Sequence, residues 1–510
     1  MITLQRISIA MLLIAIITGC AALPEQIEHP IAPLTIPTTS KLSELVKRYH
    51  PQASTSSESA FILQQSGWDA LSQRIALIES AEQSIDIQYY IWNDDVSGRY
   101  LASRLIAAAK RGVQVRVMLD DFNLNKRDEL LATIDNHPNI EIRIYNPIPS
   151  RSGVMKLVNI GTDFSRLNRR MHNKSFTVDR TLSIVGGRNI GDEYFDLSDE
   201  INFRDRDVLV AGQVVSEIQT SFKQYWNSSW SYPIRLLNDK TTANLRILEN
   251  APAPHYQHYP ALPEGETSAN KLLMNVISQF VWGQASYTAD KPVTGDVNKN
   301  DKPKATARLL AKLAQNSEQN ILIESAYLVF DDRQLKTLQT LTNKGVQINA
   351  LTNSMASNDL ITNHSGYAGR RTDILAHGIQ LFELKPDTEL CLKSTRDQSK
   401  CAPIAHYGLH AKSAVYDNKI ATIGSFNYNL RSTYLNTEAV LVIENQRIAE
   451  ALTHSIQQAM QEKNSWRLDL HNGKPRWYSE KKIWNSEPRI GKWKRFNSYL
   501  LQLLPIEKYL

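Results

Sequence analysis

Cysteine is scarce in this chain: Cys20, Cys391 and Cys401 are the only three in 510 residues. Two thiols ten positions apart with no partner pair match no zinc pattern, and a dense disulfide framework cannot be built from them. A strong charge imbalance is missing too. The net charge of +6 permits an anionic partner such as a membrane surface, but it falls short of a dedicated nucleic-acid binder, so no nucleic acid is expected. The apolar run Ile7–Thr18 is too short to span a bilayer. At 42% hydrophobic and 22% charged, the chain is neither low-complexity nor collagen-like. It is long enough for two globular domains of ordinary size.

What stands at the N-terminus is specific. Arg6 precedes the apolar run, which ends in Ile17-Thr18-Gly19-Cys20. That ending resembles a bacterial lipobox, so residues 1–20 are read as a lipoprotein signal peptide with Cys20 as the lipidated residue. Ala21 follows where an Asp would favour retention in the inner membrane, which leans toward the outer membrane. Residues 21–60 are rich in Pro, Ser and Thr and read as a tether with one helical stretch, Leu42–Tyr49. Cys391 and Cys401 then remain in a polar loop, where an oxidising periplasm favours a local disulfide.

The most informative feature is a duplicated motif. His172-Asn-Lys-Ser-Phe-Thr-Val-Asp begins one copy and His410-Ala-Lys-Ser-Ala-Val-Tyr-Asp the other. Both continue in register to Asn189 and Asn427, giving His-x-Lys-x4-Asp-x6-Gly-(Gly or Ser)-x-Asn. With generous stand-ins for Lys and Asp, His-x-Lys-x4-Asp alone arises by chance roughly 0.14 times per chain. A second full copy makes coincidence negligible.

The repeat extends around the motif. Ser84-Ile-Asp-Ile-Gln-Tyr matches Asn320-Ile-Leu-Ile-Glu-Ser, Gly112-Val-Gln-Val matches Gly345-Val-Gln-Ile, and Asp207-Val-Leu-Val matches Ala439-Val-Leu-Val. Each half predicts strand, helix, strand, helix, then the motif strand, a turn and helix, and a last strand. This is a layered α/β domain, present twice as a covalent pseudo-dimer, so a monomer is expected. The halves are placed at residues 61–249 and 305–471. Residues 250–304, with a hydrophobic helix near Leu272–Trp282, read as linker and insertion. Residues 472–510 form a basic, aromatic tail that suits either a membrane interface or packing on the second domain.

The chemistry follows from residue type. In a strand, His and Lys two apart share a face. One imidazole is a competent nucleophile at phosphorus; a second, protonated, hands a proton to the departing alcohol and later removes one from the acceptor. Lys174 and Lys412 are taken as always-charged partners of phosphate oxygens, and Asn189 and Asn427 add amide donors. The protein thereby supplies the positive charge a metal would bring, and no metal or cofactor is expected. Asp120 and Asp121 either approach this site or cap a helix. His364, Tyr367 and Arg370 either line an entrance or cap and solvate a helix. Tyr89, Tyr90 and Trp92 read as core or pocket wall.

These segments resemble the His-Lys-Asp motifs of the phospholipase D superfamily. Finer likeness is to the bacterial cardiolipin synthases of the C type, carried by Asp86-Ile-Gln-Tyr-Tyr-Ile-Trp, Leu351-Thr-Asn-Ser-Met-Ala-Ser-Asn-Asp and Arg431-Ser-Thr-Tyr-Leu-Asn-Thr-Glu. The resemblance implies two α/β/α sandwich domains related by a pseudo-two-fold, with the active site at their interface. It implies phospholipid substrates: phosphatidylglycerol, with or without phosphatidylethanolamine. His172 would be the nucleophile and His410 the acid and base. Lys174, Asn189, Lys412 and Asn427 would hold phosphate, with Ser425 counted beside the two asparagines. Asp179 and Asp417 complete the catalytic motif as carboxylates that organise the turn. Asp205 and Glu438 would orient the histidines from opposite halves. Gly187 stands where the second half has Ser425, which implies unequal support for the two histidines.

Overall fold

Short β-branched strands with a buried residue at nearly every position need helices on both faces, and the chain supplies them twice. The computed structural model describes residues 23–25, 39–50, 57–124, 127–150, 159, 161–256, 258–292, 302–502 and 509. Cys20 and the apolar run before it lie outside the described residues.

In chain order, the first half comprises α1 (Lys41–Tyr49), β1 (Ser59–Gln64), α2 (Gly67–Ser80), β2 (Ser84–Tyr89), α3 (Val96–Lys110), β3 (Gln114–Asp120), α4 (Asp128–Asp135), β4 (Ile140–Tyr145), β5 (Ser175–Val178), β6 (Leu182–Gly186), β7 (Ile201–Arg204), β8 (Asp207–Gly212), α5 (Gln213–Trp226) and β9 (Ser231–Pro233). There follow α6 (Gly265–Ile277), β10 (Val281–Ala289), α7 (Ala305–Gln315), β11 (Asn320–Ser325), α8 (Asp332–Asn343), β12 (Gln347–Asn353), α9 (Ile361–Ala376), β13 (Gln380–Leu384), β14 (His406–Leu409), β15 (Lys412–Tyr416), β16 (Ile420–Gly424), β17 (Ala439–Glu444), α10 (Gln446–Met460), β18 (Ser465–His471), β19 (Lys474–Ser479), β20 (Lys482–Trp484) and α11 (Lys492–Gln502).

Pairing arranges the first half as β9-β4-β3-β2-β5-β6-β8-β1 and the second as β10-β17-β16-β15-β11-β12-β13-β18, with β19 and β20 added outside. The two orders are the same once β1 is matched to β10. In each, the three leading strands are parallel and the motif hairpin is antiparallel. β1 and β10 then pair antiparallel with each other, Ala60 opposite Trp282, so one continuous sheet crosses the pseudo-two-fold.

Alternation along the strands divides the core between faces. Ile184 and Leu209 pack with α2, α3 and α6; Val185 and Val208 pack with α5. The second half repeats this, Ile321 and Ile348 packing with α8 and α9, Leu322 and Leu351 with α10. The clusters of α5 and α10 are one cluster, a core shared across the seam.

Four expectations are corrected. The segment 250–304 is more than linker: α6 packs on α2, and β10 is the seam strand. Its mixed, half-exposed pattern hid it, since it lacks a clean apolar face. The tether does not extend to residue 60: Leu42, Leu45 and Val46 of α1 are buried in the first core, and β1 begins at Ser59. Within the tail, β19 and β20 extend the second sheet. The helix expected after each motif is a single turn, Asp192–Tyr194 in one half and Arg431–Leu435 in the other.

Cys391 and Cys401 are disulfide-bonded. The loop they close straps onto the first half: Ser394 Oγ donates to Asp196 at 3.0 Å and Asn202 Nδ2 to the Lys400 carbonyl at 3.1 Å. Closing a loop of this length contributes about 3 kcal/mol through the unfolded chain. Cys391→Ser with Cys401→Ser should lower the denaturant midpoint accordingly. An unchanged midpoint would show the strap to be held by its hydrogen bonds alone.

Candidate active site

Each histidine is placed by a backbone bond to the opposite half. Met171 bridges Thr437 in parallel, and the His172 N–H donates to the Thr437 carbonyl at 2.9 Å. The residue after Thr437 is Glu438, so its carboxylate falls beside the His172 ring. The mirror arrangement comes from β14 pairing with β7, Leu409 opposite Arg204. The His410 N–H donates to the Arg204 carbonyl at 2.8 Å, and the next residue is Asp205.

The ring partners follow. His172 Nδ1 lies 2.8 Å from Glu438 Oε2 and 3.1 Å from the Ser425 carbonyl oxygen. A carbonyl can only accept, so Nδ1 carries the proton and the Nε2 lone pair is left over. His410 Nδ1 lies 2.5 Å from Asp205 Oδ2. Both rings open onto one cleft of ≈ 1040 Å³, lined also by Asn189, Asn427, Tyr90 and Tyr194. Tyr90 meets His172 edge-on and Tyr194 meets His410 edge-on, each with centroids 5.0 Å apart. Behind the rings, Lys174 Nζ donates to the His172 carbonyl at 2.6 Å, and Lys412 Nζ donates to the His410 carbonyl.

Burial sets the charges. It pushes the His172 imidazole down to about 4, with Lys174 and Lys412 adding to the shift and Glu438 opposing it. Burial also takes His410 well below the usual histidine range, again helped by both lysines. Glu438 is raised by burial, but His172 and Lys174 outweigh that and keep it below the usual carboxylate range. Both imidazoles are therefore neutral at neutral pH, over an ionised Glu438. The expectation of always-charged lysines is corrected. Burial lowers Lys174 to about 7 and Lys412 to about 8, and the neighbouring carboxylates, Glu438 first for Lys174 and Asp205 first for Lys412, offset only part of that.

The unequal support has a structural basis. Glu438 accepts from Ser425 Oγ at 2.5 Å and from Ser432 Oγ at 2.7 Å. Asp205, one methylene shorter, accepts from the Arg206 N–H at 2.7 Å. A Cβ at Gly187 would stand 2.2 Å from Asp205 Oδ1, so the Asp205 carboxylate occupies the space a side chain would need.

The remaining candidates separate. Ser425 is buried behind His172 and holds Glu438; the substrate-binding expectation is corrected, since its hydroxyl is spent on that carboxylate and the Ala439 N–H. Asp179 and Asp417 do not join the catalytic set. Each starts a hairpin loop with positive φ, and their carboxylates accept backbone N–H groups of residues 82–84 and 318–320. They tie the motif hairpin to the start of β2 or β11, at the far end of the strand from the histidines. Asp120 caps Phe122 and pairs with Arg170 at 2.9 Å, and Asp121 accepts the Ile148 N–H. His364 is buried against Arg371, Tyr367 donates to Glu383 and Arg370 pairs with Asp332, so none of the three lines the cleft. Tyr89 is core, bonded to Arg74; Tyr90 is cleft wall; Trp92 packs on the first core.

Two contributors had escaped the sequence reading. Asn189 Nδ2 donates to the Tyr194 hydroxyl at 2.9 Å, and the Asn427 N–H donates to Ser432 Oγ at 3.3 Å. Tyr194 and Ser432 each follow the motif asparagine by five positions. That shared offset was the available signal, obscured because the residue types differ.

Comparison with known proteins agrees with this geometry. Residues 75–226 and 310–460 each match the family described as cardiolipin synthase, PLD-like domain. Cardiolipin synthase C of Escherichia coli (strain K12) is 38% identical over 449 residues, 86% of this chain and 93% of that protein. The chain belongs to the phospholipase D-like cardiolipin synthase family. Within it, the major cardiolipin synthase of Bacillus subtilis (strain 168) is 24% identical over 414 residues, 81% of this chain and 71% of that protein. The crystal structure of phosphatidylserine synthase from Haemophilus influenzae Rd KW20 superposes with a TM-score of 0.58 at 13% identity. It covers 91% of this chain and 100% of that chain, and shows the shared fold.

Two predictions follow from the charges and the packing. Tungstate, a phosphate mimic, should raise both lysine pKa values on binding. Since Lys174 and Lys412 start at about 7 and about 8, binding at pH 8 should take up between one and two protons per site, fading toward pH 6. Calorimetry in buffers of different ionisation enthalpy measures this; binding heats independent of buffer would contradict it. Second, Gly187→Ser should displace Asp205 and lower turnover by about 10²-fold or more, whereas Ser425→Ala, leaving Ser432 on Glu438, should cost about tenfold. Equal effects would remove the asymmetry.

Proposed function

We propose that this protein is a phosphatidyl transferase that forms cardiolipin from phosphatidylglycerol and a second phospholipid through a phosphatidyl-histidine. The observation that carries the reading is the pair of imidazoles facing one cleft, each with Nδ1 held by a carboxylate of the opposite half. His172 Nε2 attacks the phosphodiester phosphorus, the N–P bond forms, and the bond to the head-group oxygen breaks. Binding of the phosphate anion draws a proton from solvent onto His410, and that imidazolium gives the departing oxygen its proton. The phosphate anion restores charge to Lys174 and Lys412, which with the two asparagines stabilise the developing negative charge. His410, now neutral, removes the proton from the phosphatidylglycerol hydroxyl, which attacks phosphorus and releases His172.

Glu438 with its two hydroxyl donors favours His172 as nucleophile, since a firmly held anion stabilises the cation that forms on that ring. The disulfide supports an oxidising compartment, and with the lipobox-like Cys20 it supports a periplasm-facing, lipid-anchored protein. The dimer-like site within one chain supports a monomer. Among the described residues no helix is long and apolar enough to cross a membrane.

Purified protein incubated with phosphatidylglycerol, alone and with phosphatidylethanolamine, should yield cardiolipin, and His172→Ala should yield none. Phosphatidic acid as the sole product would make water the acceptor instead. A donor with a p-nitrophenyl head group needs no acid to leave, so His410→Ala should release one equivalent and retain the phosphatidyl group on His172. An adduct mapped to His410 in the wild type would reverse the roles.

A further inference from the structure

Helix α11 is amphipathic the wrong way round for a helix that packs on protein and faces water. It lies against α9, and the side chains turned inward are mostly polar: Ser498 is fully buried, Lys494, Arg495 and Asn497 are half-buried, and Leu501 is the one apolar residue half-buried with them. Arg495 donates to the Glu487 carbonyl at 2.7 Å from this inner side. Its outward face carries Trp493, Phe496, Tyr499 and Leu500, which are 73%, 49%, 59% and 45% exposed. Burying the apolar stripe would have been the stable choice in water, so a face left in this orientation calls for an apolar partner.

The partner's chemistry is written around the stripe. Residues 472–510 hold nine Lys and Arg against three Glu, and Lys492, on α11 itself, is exposed. Tryptophan and tyrosine interleaved with lysine suit the boundary between lipid head groups and acyl chains. The stripe also connects to the cleft. Leu360, which precedes α9, is exposed and lines the cleft, as do Phe122, Phe164 and Tyr509. Tyr509 meets the Phe164 ring at 5.3 Å and accepts a hydrogen bond from Arg431 at the cleft wall. Six residues of chain separate Gln502 from Tyr509, so α11 ends within about 24 Å of the cleft mouth. The end of α11 and the aromatic cleft rim are thus within this reach of each other.

We propose that the outward stripe of α11 and the aromatic rim of the cleft form one face that docks on an anionic phospholipid bilayer, Trp493 and Phe496 entering the acyl boundary and Lys492 meeting lipid phosphates. This rests on the reading that the cleft works on membrane lipid. Docking by this face turns the cleft mouth toward the bilayer, so that a phospholipid reaches His172 without its acyl chains crossing water.

The test uses the full chain and vesicles of phosphatidylcholine and phosphatidylglycerol with brominated acyl chains, which quench tryptophans that enter the bilayer whatever else tethers the protein. The wild type should be quenched, and Trp493→Phe should lose that part of the quenching. Replacing Trp493, Phe496 and Leu500 together by Ser should lower turnover of vesicle phosphatidylglycerol about tenfold or more. Turnover of a short-chain phosphatidylglycerol dissolved as monomer should stay unchanged, which also shows that the variant is folded. Equal quenching of wild type and Trp493→Phe would overturn the proposal, as would vesicle turnover untouched in the triple variant. So would sedimentation showing that the wild type is a dimer and the triple variant a monomer, because the stripe would then be covered by a second copy. Quenching of Trp493 with no turnover of either lipid would uphold the docking face and reject the transferase reading.

Discussion

One constraint underlies the site: each histidine is backbone-bonded to the residue that precedes the other half's carboxylate. His172 bonds to Thr437 and His410 to Arg204, and Glu438 and Asp205 follow directly. A main-chain bond fixes register far more tightly than a side-chain contact, so neither ring can lose its carboxylate without the halves separating. Those halves share a sheet through β1 and β10 and a core through α5 and α10. The same seam that stabilises the fold holds the imidazoles at a common cleft.

Within that symmetry, small differences separate the two rings. Glu438 is one methylene longer than Asp205 and is gripped by Ser425 and Ser432. Asp205 fills the volume above Gly187 instead, and Lys412 Nζ approaches His410 Nδ1 at 2.9 Å while Lys174 keeps to its own carbonyl. A covalent two-step transfer asks different things of its two bases, one to carry phosphorus and one to pass a proton. The duplicated scaffold provides matched positions, and these substitutions make them unlike. The buried lysines belong to the same design: burial holds both below the usual lysine range, so their charge responds to an anion placed beside them.

Much of this was legible in the chain because short-range spacing encodes it. The duplicated motif, the strands flanking it and the disulfide loop depend on residues close in sequence, and each stands where its pattern placed it. The seam strand β10 was not legible, since its half-exposed residues follow no clean period and its partners are some 200 residues away in one direction and 150 in the other. Asp179 and Asp417 show the opposite limit. Their place in the motif put them with the catalytic set, yet their carboxylates are consumed by three backbone N–H groups each. The tail divided between both readings: β19 and β20 pack on the second half, while α11 lies on it with its apolar side outward.

The sequence by itself determined the duplicated α/β halves and the two histidines with their lysines and asparagines, because residue type and spacing suffice for these; the opposed carboxylates came only with the family resemblance. Only the tertiary structure decided which hydroxyls hold Glu438, how far burial moves the lysines, where β10 closes the seam and which way α11 faces. These depend on distance and exclusion of water between segments remote in the chain, and neither quantity is written in local order.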